Sequence, residues 1–194
     1  MIRPITSTDI PRVAEIHVFA QRMTYQGFVS DRYLFAEATV AGRADHFAQQ
    51  LGKDGREGFV LEEEGIIKGF LIVAPCNDPS CRDCRPRQSQ DGRGRLSLQI
   101  ERIFAEPLML GKGIGTRLEL FCRDYARKNG YEQICLWVME DNHNARKFYE
   151  KTGYTQDGRR PSEMDAHAMQ LRYFVGMAAP GHPTPTKGSE QNDD

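Results

Sequence analysis

The stretch of sequence that decides the fold is Leu110-Gly111-Lys112-Gly113-Ile114-Gly115-Thr116. It follows a strand-like run and opens a helix-like one. Glycines allow successive backbone N–H groups to point into one concavity, and the N-terminus of a helix adds positive potential there. The lysine can add a point charge. Together these features predict a loop that binds a pyrophosphate.

Two common phosphate-binding loops do not match this segment. A nucleoside-triphosphate loop closes with a lysine and a hydroxyl residue, whereas here Gly115 is followed by Thr116 and Arg117. A dinucleotide-binding fold carries its glycines at the start of the domain, with an acidic partner downstream, and this loop lies mid-chain. Taken alone, the loop also fits a glycine-rich turn that merely starts a helix.

The segments after the loop alternate between helix and strand patterns. Residues 116–129 carry apolar side chains at helical spacing, and Gly130 is well placed as the C-terminal stop. A buried strand at 134–138 precedes a short helix that Gly153 closes. The two final strands are predicted over residues 154–159 and 168–175.

The N-terminal half predicts a strand, two helices and a hairpin. A strand at residues 2–6 leads into a helix that starts at Thr8-Asp9-Ile10-Pro11, where capping residues precede a proline. A second helix is predicted over residues 33–51. Two further strand-like runs, at 58–63 and 66–74, are joined by a short glycine-containing link, which favours a hairpin.

The strand before the glycine loop has an interrupted pattern. Leu96, Leu98 and Ile100 alternate along residues 96–105, but the next aliphatic residue, Ile103, is out of phase. Such a slip indicates a β-bulge or a strand that is buried on both faces. The order of all these elements predicts an α/β domain built around a mixed sheet.

Composition limits the classes of protein to which the chain can belong. At 194 residues, with 39% hydrophobic and 27% charged residues, it suits one globular domain, predicted over residues 1–175. A formal charge of −1 gives no global basic field of the kind that attracts nucleic acid. Apolar runs fall far short of the ~20 residues needed to cross a bilayer. With no signal-peptide core and an odd count of five cysteines, we expect a reduced, cytoplasmic protein without a membrane partner.

Two segments fall outside the periodic pattern. Residues 75–94 combine prolines, glycines and arginines, and predict a long exposed loop. Residues 176–194 are rich in Gly, Pro, Ser and charge, and predict a disordered tail. The loop holds Cys76, Cys81 and Cys84, whose spacing suits three zinc ligands, but no fourth ligand lies nearby. We therefore expect no metal site.

Two further motifs accompany the loop. They are Ile100-Glu101-Arg102-Ile103-Phe104-Ala105 and Asn142-His143-Asn144-Ala145-Arg146-Lys147-Phe148-Tyr149-Glu150-Lys151-Thr152-Gly153-Tyr154. With the loop they resemble the two main motifs of the GNAT superfamily of acetyl-CoA-dependent N-acetyltransferases. The likeness covers about residues 2–175 and is strongest over 96–154. It implies an α/β fold with a mixed, mostly antiparallel sheet that is flanked by helices and has a splayed central strand pair.

The resemblance also implies where acetyl-CoA binds. The backbone of Ile103, Phe104 and Ala105 would pair with the pantetheine arm, and Asn142 would bond the arm from the other side. The pyrophosphate would lie on Gly111, Lys112, Gly113, Ile114, Gly115 and Thr116. The family usually has Gln or Arg where this chain has Leu110. Because backbone donors do most of the phosphate binding, we expect affinity to survive this change.

The same resemblance supplies candidates for catalysis. Tyr149 occupies the family's tyrosine position and would protonate the departing sulfur, although a tyrosine there can also simply pack its helix on the sheet. Glu101 is the candidate base, directly or through a water, and the alternative is a carboxylate paired with Arg102 or another cation. Tyr25 and Gln26 are expected to line the acceptor pocket, because the first two helices cover that side in relatives.

The predicted function is transfer of the acetyl group of acetyl-CoA to a primary amine of a small molecule, by direct sequential transfer. Two alternatives stay open: a catalytically silent CoA-binding sensor or regulatory module, and an enzyme that acetylates protein N-termini. The resemblance leaves a homodimer open as well. The identity of the acceptor amine cannot be predicted from these motifs.

Overall fold

A computed structural model describes residues 1–78, 97–165 and 167–177. Its seven strands form one sheet in the order β1-β2-β3-β4-β5-β7-β6, and every neighbouring pair is antiparallel except β4 and β5. The strands are β1 (Ile2–Pro4), β2 (Glu57–Glu63), β3 (Ile66–Pro75), β4 (Ser97–Ala105), β5 (Gln133–Met139), β6 (Thr155–Pro161) and β7 (Met169–Gly176). The helices are α1 (Ile10–Tyr25), α2 (Val40–Gln50), α3 (Ile114–Lys128) and α4 (His143–Lys151). The predicted mixed α/β fold is confirmed.

The helices cover both faces of the sheet. On one face α3 and α4 bury their apolar stripes, with Leu118 and Tyr149 inside the larger core cluster. On the other face α1 and α2 pack through Ile16 and Phe47 against Phe70 of β3. Burying both faces removes most apolar side chains of the strands from water, which is the main stabilising term for such a domain.

The predicted bulge lies in the middle of β4. Ile100 pairs with Val73 and Arg102 pairs with Ile72, so Glu101 is an extra residue in the strand. As a result Ile100 and Ile103 both pack in the cluster below α3 and α4. The bulge therefore explains the phase slip in the sequence, and it turns Arg102 toward the opposite face.

Strands β4 and β5 separate just beyond the bulge. Their parallel pairing runs over residues 97–100 of β4 and 133–136 of β5. Past that point, β4 pairs only with β3 and β5 only with β7 among the described strands. The two strands thus splay as predicted and leave a gap in the centre of the sheet.

One predicted helix is wrong. Residues 33–51 do not form a single helix: a wide π-helical turn, Arg32–Glu37, ends before α2 begins. The reason is local, because Thr39 has extended backbone and its hydroxyl accepts a hydrogen bond of 3.1 Å from the N–H of Gly42. Thr39 is thus the N-cap of α2, and its extended backbone ends the preceding helical turn.

Parts of two other predictions lie outside the described residues. These are most of the 75–94 loop, with Cys81 and Cys84, and nearly all of the 176–194 tail. Pro75 ends β3 and Gly176 ends β7, so each segment begins one residue inside a strand. Within the part of the chain that is described, no helix is both long and apolar enough to cross a bilayer.

Candidate active site

A cavity of about 200 Å³ lies at the gap between β4 and β5. It is lined from both faces of the sheet, because its walls include residues of α4 and residues of α1. A second cavity of about 590 Å³ shares part of this wall and extends toward the end of α2. The lining residues that matter below are His17, Gln21, Tyr25, Tyr33, Arg43, Glu101, Arg102, Ile103, Phe104, Asn142 and Tyr149.

The glycine loop forms an exposed cradle at the start of α3. Gly111 and Gly113 have φ values of 79° and 75°, in the left-handed region that side chains disfavour. Around both glycines a Cβ would meet no atom within 4 Å, so the space next to the backbone is open. Ile114 is buried below and anchors the loop, while Lys112 and Thr116 are exposed beside it. The free N–H groups of the first helical turn make this a site for an anion.

The edge of β4 offers backbone groups to a ligand in the gap. Ile103, Phe104 and Ala105 pair with β3 on one side. On the other side they lie past the last described pair between β4 and β5. An extended, amide-containing chain could therefore bind along this edge as a further strand does.

Asn142 lies across the gap from that edge. Its Oδ1 accepts a hydrogen bond of 3.1 Å from the N–H of Ala145, which caps α4. The cap leaves the Nδ2 group as the part of the side chain that can serve a ligand. Next to it, His143 is exposed at the first position of α4 and does not line the cavity.

Tyr149 is buried on the α4 side of the cavity. Its ring lies 5.4 Å from that of Tyr154 and 5.3 Å from that of Phe148, which holds it in place. Among the described residues its hydroxyl has no hydrogen-bond partner, and the residue lines the cavity. Burial raises the pKa of the phenol well above its usual value. The hydroxyl therefore stays protonated and can donate its proton to a ligand in the cavity.

Glu101, the bulge residue, forms an ion pair with Arg56. Arg56 Nε lies 2.6 Å from Oε2 and Nη2 lies 2.9 Å from Oε1, so the contact is bidentate. Both side chains are about one-fifth exposed, at 20% and 21%. The carboxylate still borders both cavities. The structure thus contains the pairing considered as the alternative to a base, with Arg56 rather than Arg102 as the cation.

The two predicted acceptor residues differ in position. Tyr25 is buried at the end of α1 and lines the cavity, and burial raises the pKa of its phenol to about 12. Gln26 follows the last helical residue, is exposed, and is not among the described lining residues. The helix ends between them, so their side chains point in different directions.

Several polar residues of the cavity were not predicted as site residues from the sequence, and four of them matter below. His17 and Gln21 lie one turn apart on the buried face of α1, Arg43 comes from α2, and Arg102 follows the bulge. For His17 and Gln21 the sequence does carry a signal, because both are polar residues on an otherwise apolar face of the predicted first helix. The orientation of Arg102 depends on the bulge, and no local pattern indicates it.

A family comparison agrees with this geometry. The model of the acetyltransferase (GNAT) family matches residues 12–154, which include the glycine loop, the bulged strand and α4. The chain belongs to the GNAT acetyltransferase family. The predicted family and enzyme class, an acetyl-CoA-dependent acyltransferase, are thereby confirmed.

Individual relatives of this GNAT protein are distant. It is 30% identical over 155 residues to an uncharacterised N-acetyltransferase of Methanocaldococcus jannaschii; the match covers 80% of this chain and 60% of the archaeal protein. The crystal structure of the PaiA N-acetyltransferase of Thermoplasma acidophilum, in complex with coenzyme A, is 16% identical. It has a TM-score of 0.64, with 89% of this chain and 96% of that chain covered.

A ribosomal-protein-alanine N-acetyltransferase of Brucella melitensis is equally similar in fold. It is 16% identical, with a TM-score of 0.65 and coverage of 91% of this chain and 99% of that one. These structural similarities concern the fold of the GNAT domain. They include enzymes named for different acceptors, so they do not identify the acceptor of this chain.

Proposed function

We propose that this GNAT enzyme moves the acetyl group of acetyl-CoA directly to a primary amine of a small molecule. The observation that carries the proposal is the cavity in the splayed sheet, which reaches both faces. The glycine cradle opens on the α3 side, and polar residues of α1 line the other side. Donor and acceptor can thus meet in the gap from opposite directions.

Binding of the donor would use the backbone more than side chains. The N–H groups at the start of α3, around Gly113, would hold the pyrophosphate, with Lys112 and Thr116 beside them. The gap-side edge of Ile103–Ala105 and the amide of Asn142 would hold the pantetheine arm. When bound, acetyl-CoA supplies an activated thioester. The open space at the glycines fits a phosphate at close range, since a Cβ would fill it.

The chemistry requires two proton transfers. An alkyl ammonium with a pKa near 10.4 is only about one part in a thousand neutral at pH 7.4, so the site must remove a proton before attack. We propose Glu101 for this role, directly or through a water. For the departing sulfur we propose Tyr149, because its buried hydroxyl is protonated and lines the cavity. General acids and bases contribute roughly 10²–10⁴-fold each.

Direct transfer is supported by where the cysteines lie. A ping-pong mechanism needs a nucleophile that can reach the acetyl group. In the ranges that the structure describes, Cys76, Cys122 and Cys135 are buried, and none of them lines the cavity. A sequential mechanism requires no such residue.

The cavity at the gap favours a compact acceptor group. Its volume is about 200 Å³, below the roughly 300–1,000 Å³ of pockets for drug-sized ligands. The neighbouring cavity of about 590 Å³, which shares Glu101 and Arg102 with it, gives room for the rest of a small molecule.

Calorimetric titration of acetyl-CoA, followed by a free-thiol assay over a panel of amines, tests the proposal. We expect micromolar binding and release of CoA with a small amine. Binding without turnover of any amine would favour a sensor that has lost the chemistry. Turnover of ribosomal-protein N-terminal peptides alone would favour the protein acetyltransferase.

A further inference from the structure

We infer that the acceptor of this enzyme carries a carboxylate beside its amine, and that Arg102 binds that carboxylate inside the cavity. The inference rests on the proposed function and specifies its substrate class. It starts from charges and polar atoms in the cavity that have no ion-pair or hydrogen-bond partner among the residues the structure describes.

Arg102 is a half-buried cation that forms no ion pair with a carboxylate in the part of the chain that the structure describes. Among the described residues its one hydrogen bond runs from Nη1 to the backbone oxygen of Glu101, at 2.7 Å. The carboxylate of Glu101 is bonded to Arg56 through both oxygens and forms no hydrogen bond with Arg102, although its negative charge partly offsets the effect of burial on the pKa of Arg102. Burial in the cavity lowers the pKa of the Arg102 guanidinium. A guanidinium has five N–H donors in a fork that matches a carboxylate, so most of its donors are available.

A second cation lies close by. Arg43 of α2 lines the same cavity, and its only described hydrogen bond, 3.4 Å long, goes to the hydroxyl of Tyr33. No carboxylate among the described residues forms an ion pair with it, and its positive charge lowers the pKa of Arg102 further. Two neighbouring guanidinium groups repel each other, and an anion between them would remove that cost.

The other charged groups nearby are already paired or exposed. Arg160 contacts Asp78 at 3.1 Å and Glu163 at 3.9 Å. The side chain of Glu163 is 88% exposed, so it offers little to a ligand inside the cavity. A polyamine would bring a second ammonium group into this space and would meet Arg102 and Arg43 instead of a free carboxylate. The charges therefore favour an anionic acceptor over a polycationic one.

Two buried polar side chains, those of His17 and Gln21, also line this cavity. Within the described ranges, both ring nitrogens of His17 and Oε1 of Gln21 lack a hydrogen-bond partner, and the residues are 0% and 4% exposed. Burial lowers the pKa of His17 well below its usual value, so the ring is neutral and one nitrogen can accept. The unprotonated nitrogen of His17 and Oε1 of Gln21 can accept hydrogen bonds from an amine while Arg102 holds the carboxylate. A buried polar atom left unpaired is costly, and a polar ligand satisfies it.

The decisive test compares acceptors that differ only in the carboxylate. A free-thiol assay would measure kcat/KM for amino acids, for their amides and for the corresponding aminophosphonates. The amide has the less protonated amine, so chemistry alone favours it over the acid. We expect the best amino acid to exceed its amide by at least ~10-fold. Equal rates, or a preference for amides, polyamines or aminophosphonates, would overturn the inference.

Variants then assign the effect to Arg102. Arg102→Gln should bring the ratio of acid to amide close to one, mainly through KM, and Arg102→Lys should restore part of it. Arg127→Gln, which removes an arginine exposed on α3, is the matched control and should leave the ratio unchanged. Calorimetry should give the same acetyl-CoA affinity for all of them. An unchanged ratio in Arg102→Gln would contradict the assignment.

A measurement on the wild-type protein tests the inference even if the Arg102 variants do not fold. Small carboxylic acids that lack an amine should inhibit competitively with the amino acid, and their amides should not. Inhibition by both alike would contradict the inference. If acetyl-CoA binds and amines react without regard to the carboxylate, this inference fails and the proposed function stands. If no acetyl-CoA binds, the proposed function fails first.

Discussion

Gly113 and Gly130 stand at the two ends of α3 with nearly the same backbone conformation, at φ values of 75° and 74°. At both positions a Cβ would meet no atom within 4 Å. The two residues therefore carry the same conformational strain when replaced, but only Gly113 lies in the proposed phosphate cradle. This makes them a matched pair for separating stability from ligand binding.

Gly113→Ala and Gly130→Ala should each lower the free energy of unfolding by about 1–2 kcal/mol, because alanine disfavours the left-handed region. Only Gly113→Ala should weaken acetyl-CoA binding, by at least ~5-fold, since its methyl group occupies space next to the phosphate. Urea denaturation and calorimetry measure the two effects. If Gly113→Ala and Gly130→Ala bound acetyl-CoA with equal affinity, the loop would not bind the pyrophosphate.

Tyr149→Phe should lower kcat by at least ~10-fold and leave the affinity for acetyl-CoA almost unchanged, because it removes only the proton donor. Steady-state kinetics and calorimetry test this. Tyr131→Phe, a half-buried tyrosine before β5 that does not line the cavity, is the control. An unchanged kcat in Tyr149→Phe would limit the residue to packing α4 on the sheet.

Glu101→Gln tests whether the bulge carboxylate is the base. We expect it to lower kcat/KM and remove the rise in activity with pH that deprotonation of a base produces. Arg56→Gln breaks the same ion pair while keeping the carboxylate, so it should preserve that rise. A pH–rate profile of Glu101→Gln with the wild-type shape would assign the residue to holding Arg56 and the bulge.

Asn142 has two proposed roles that two substitutions can separate. Asn142→Ala should cost about 1 kcal/mol of stability, because the cap of α4 is lost, and should also weaken acetyl-CoA binding. Asn142→Asp retains a capping oxygen and loses only the Nδ2 donor. It should therefore keep most of the stability but not the affinity. If Asn142→Asp binds acetyl-CoA as the wild type does, the amide does not contact the donor.

The ion pair between Arg3 and Asp9 gives the stability a defined dependence on pH. Arg3 contacts both oxygens of Asp9, at 2.7 and 3.0 Å, and the hydrogen bonds from Arg3 hold the pKa of that carboxyl well below its usual value. Because the folded-state pKa is depressed, the stabilisation is present above the unfolded pKa of about 3.9 and is lost as pH falls below it.

Asp9→Asn should accordingly cost roughly 1–3 kcal/mol at pH 7, and the difference from wild type should shrink below about pH 3. Denaturant unfolding at both pH values measures this. Asp124→Asn removes a carboxylate that is 66% exposed on α3 and should change stability by no more than about 1 kcal/mol. A pH-independent difference for Asp9→Asn would show that the contact is not electrostatic.

Local signals explain why much of the fold could be predicted. Element order follows from periodicity, and the phase slip between Ile100 and Ile103 indicated either a bulge or a strand buried on both faces, of which the structure has the bulge. The helix predicted over residues 33–51 was wrong because it overlooked the break at Thr39, whose hydroxyl caps α2. A threonine three residues before a glycine is a weak signal for the start of a helix.

The candidate site was predictable only where a motif carried it. The loop glycines, Asn142 and Tyr149 lie in motifs, but the ion pair between Arg56 and Glu101 joins residues 45 positions apart. Arg102 reaches the cavity because the bulge turns it, and whether it has a counter-ion depends on packing across the sheet. Such properties arise from tertiary structure and leave no short-range pattern.

The splayed sheet has a mechanical consequence. Strands β1 to β4 and strands β5 to β7 are joined in the sheet by four residue pairs, and the rest of that seam is open. A donor lying in the seam would fasten the two halves together through backbone contacts on both sides. Acetyl-CoA should then slow amide hydrogen exchange along β4 and β5 well beyond the residues it touches. Bound acetyl-CoA would thus stiffen the sheet, and the enzyme without acetyl-CoA would be the more flexible form.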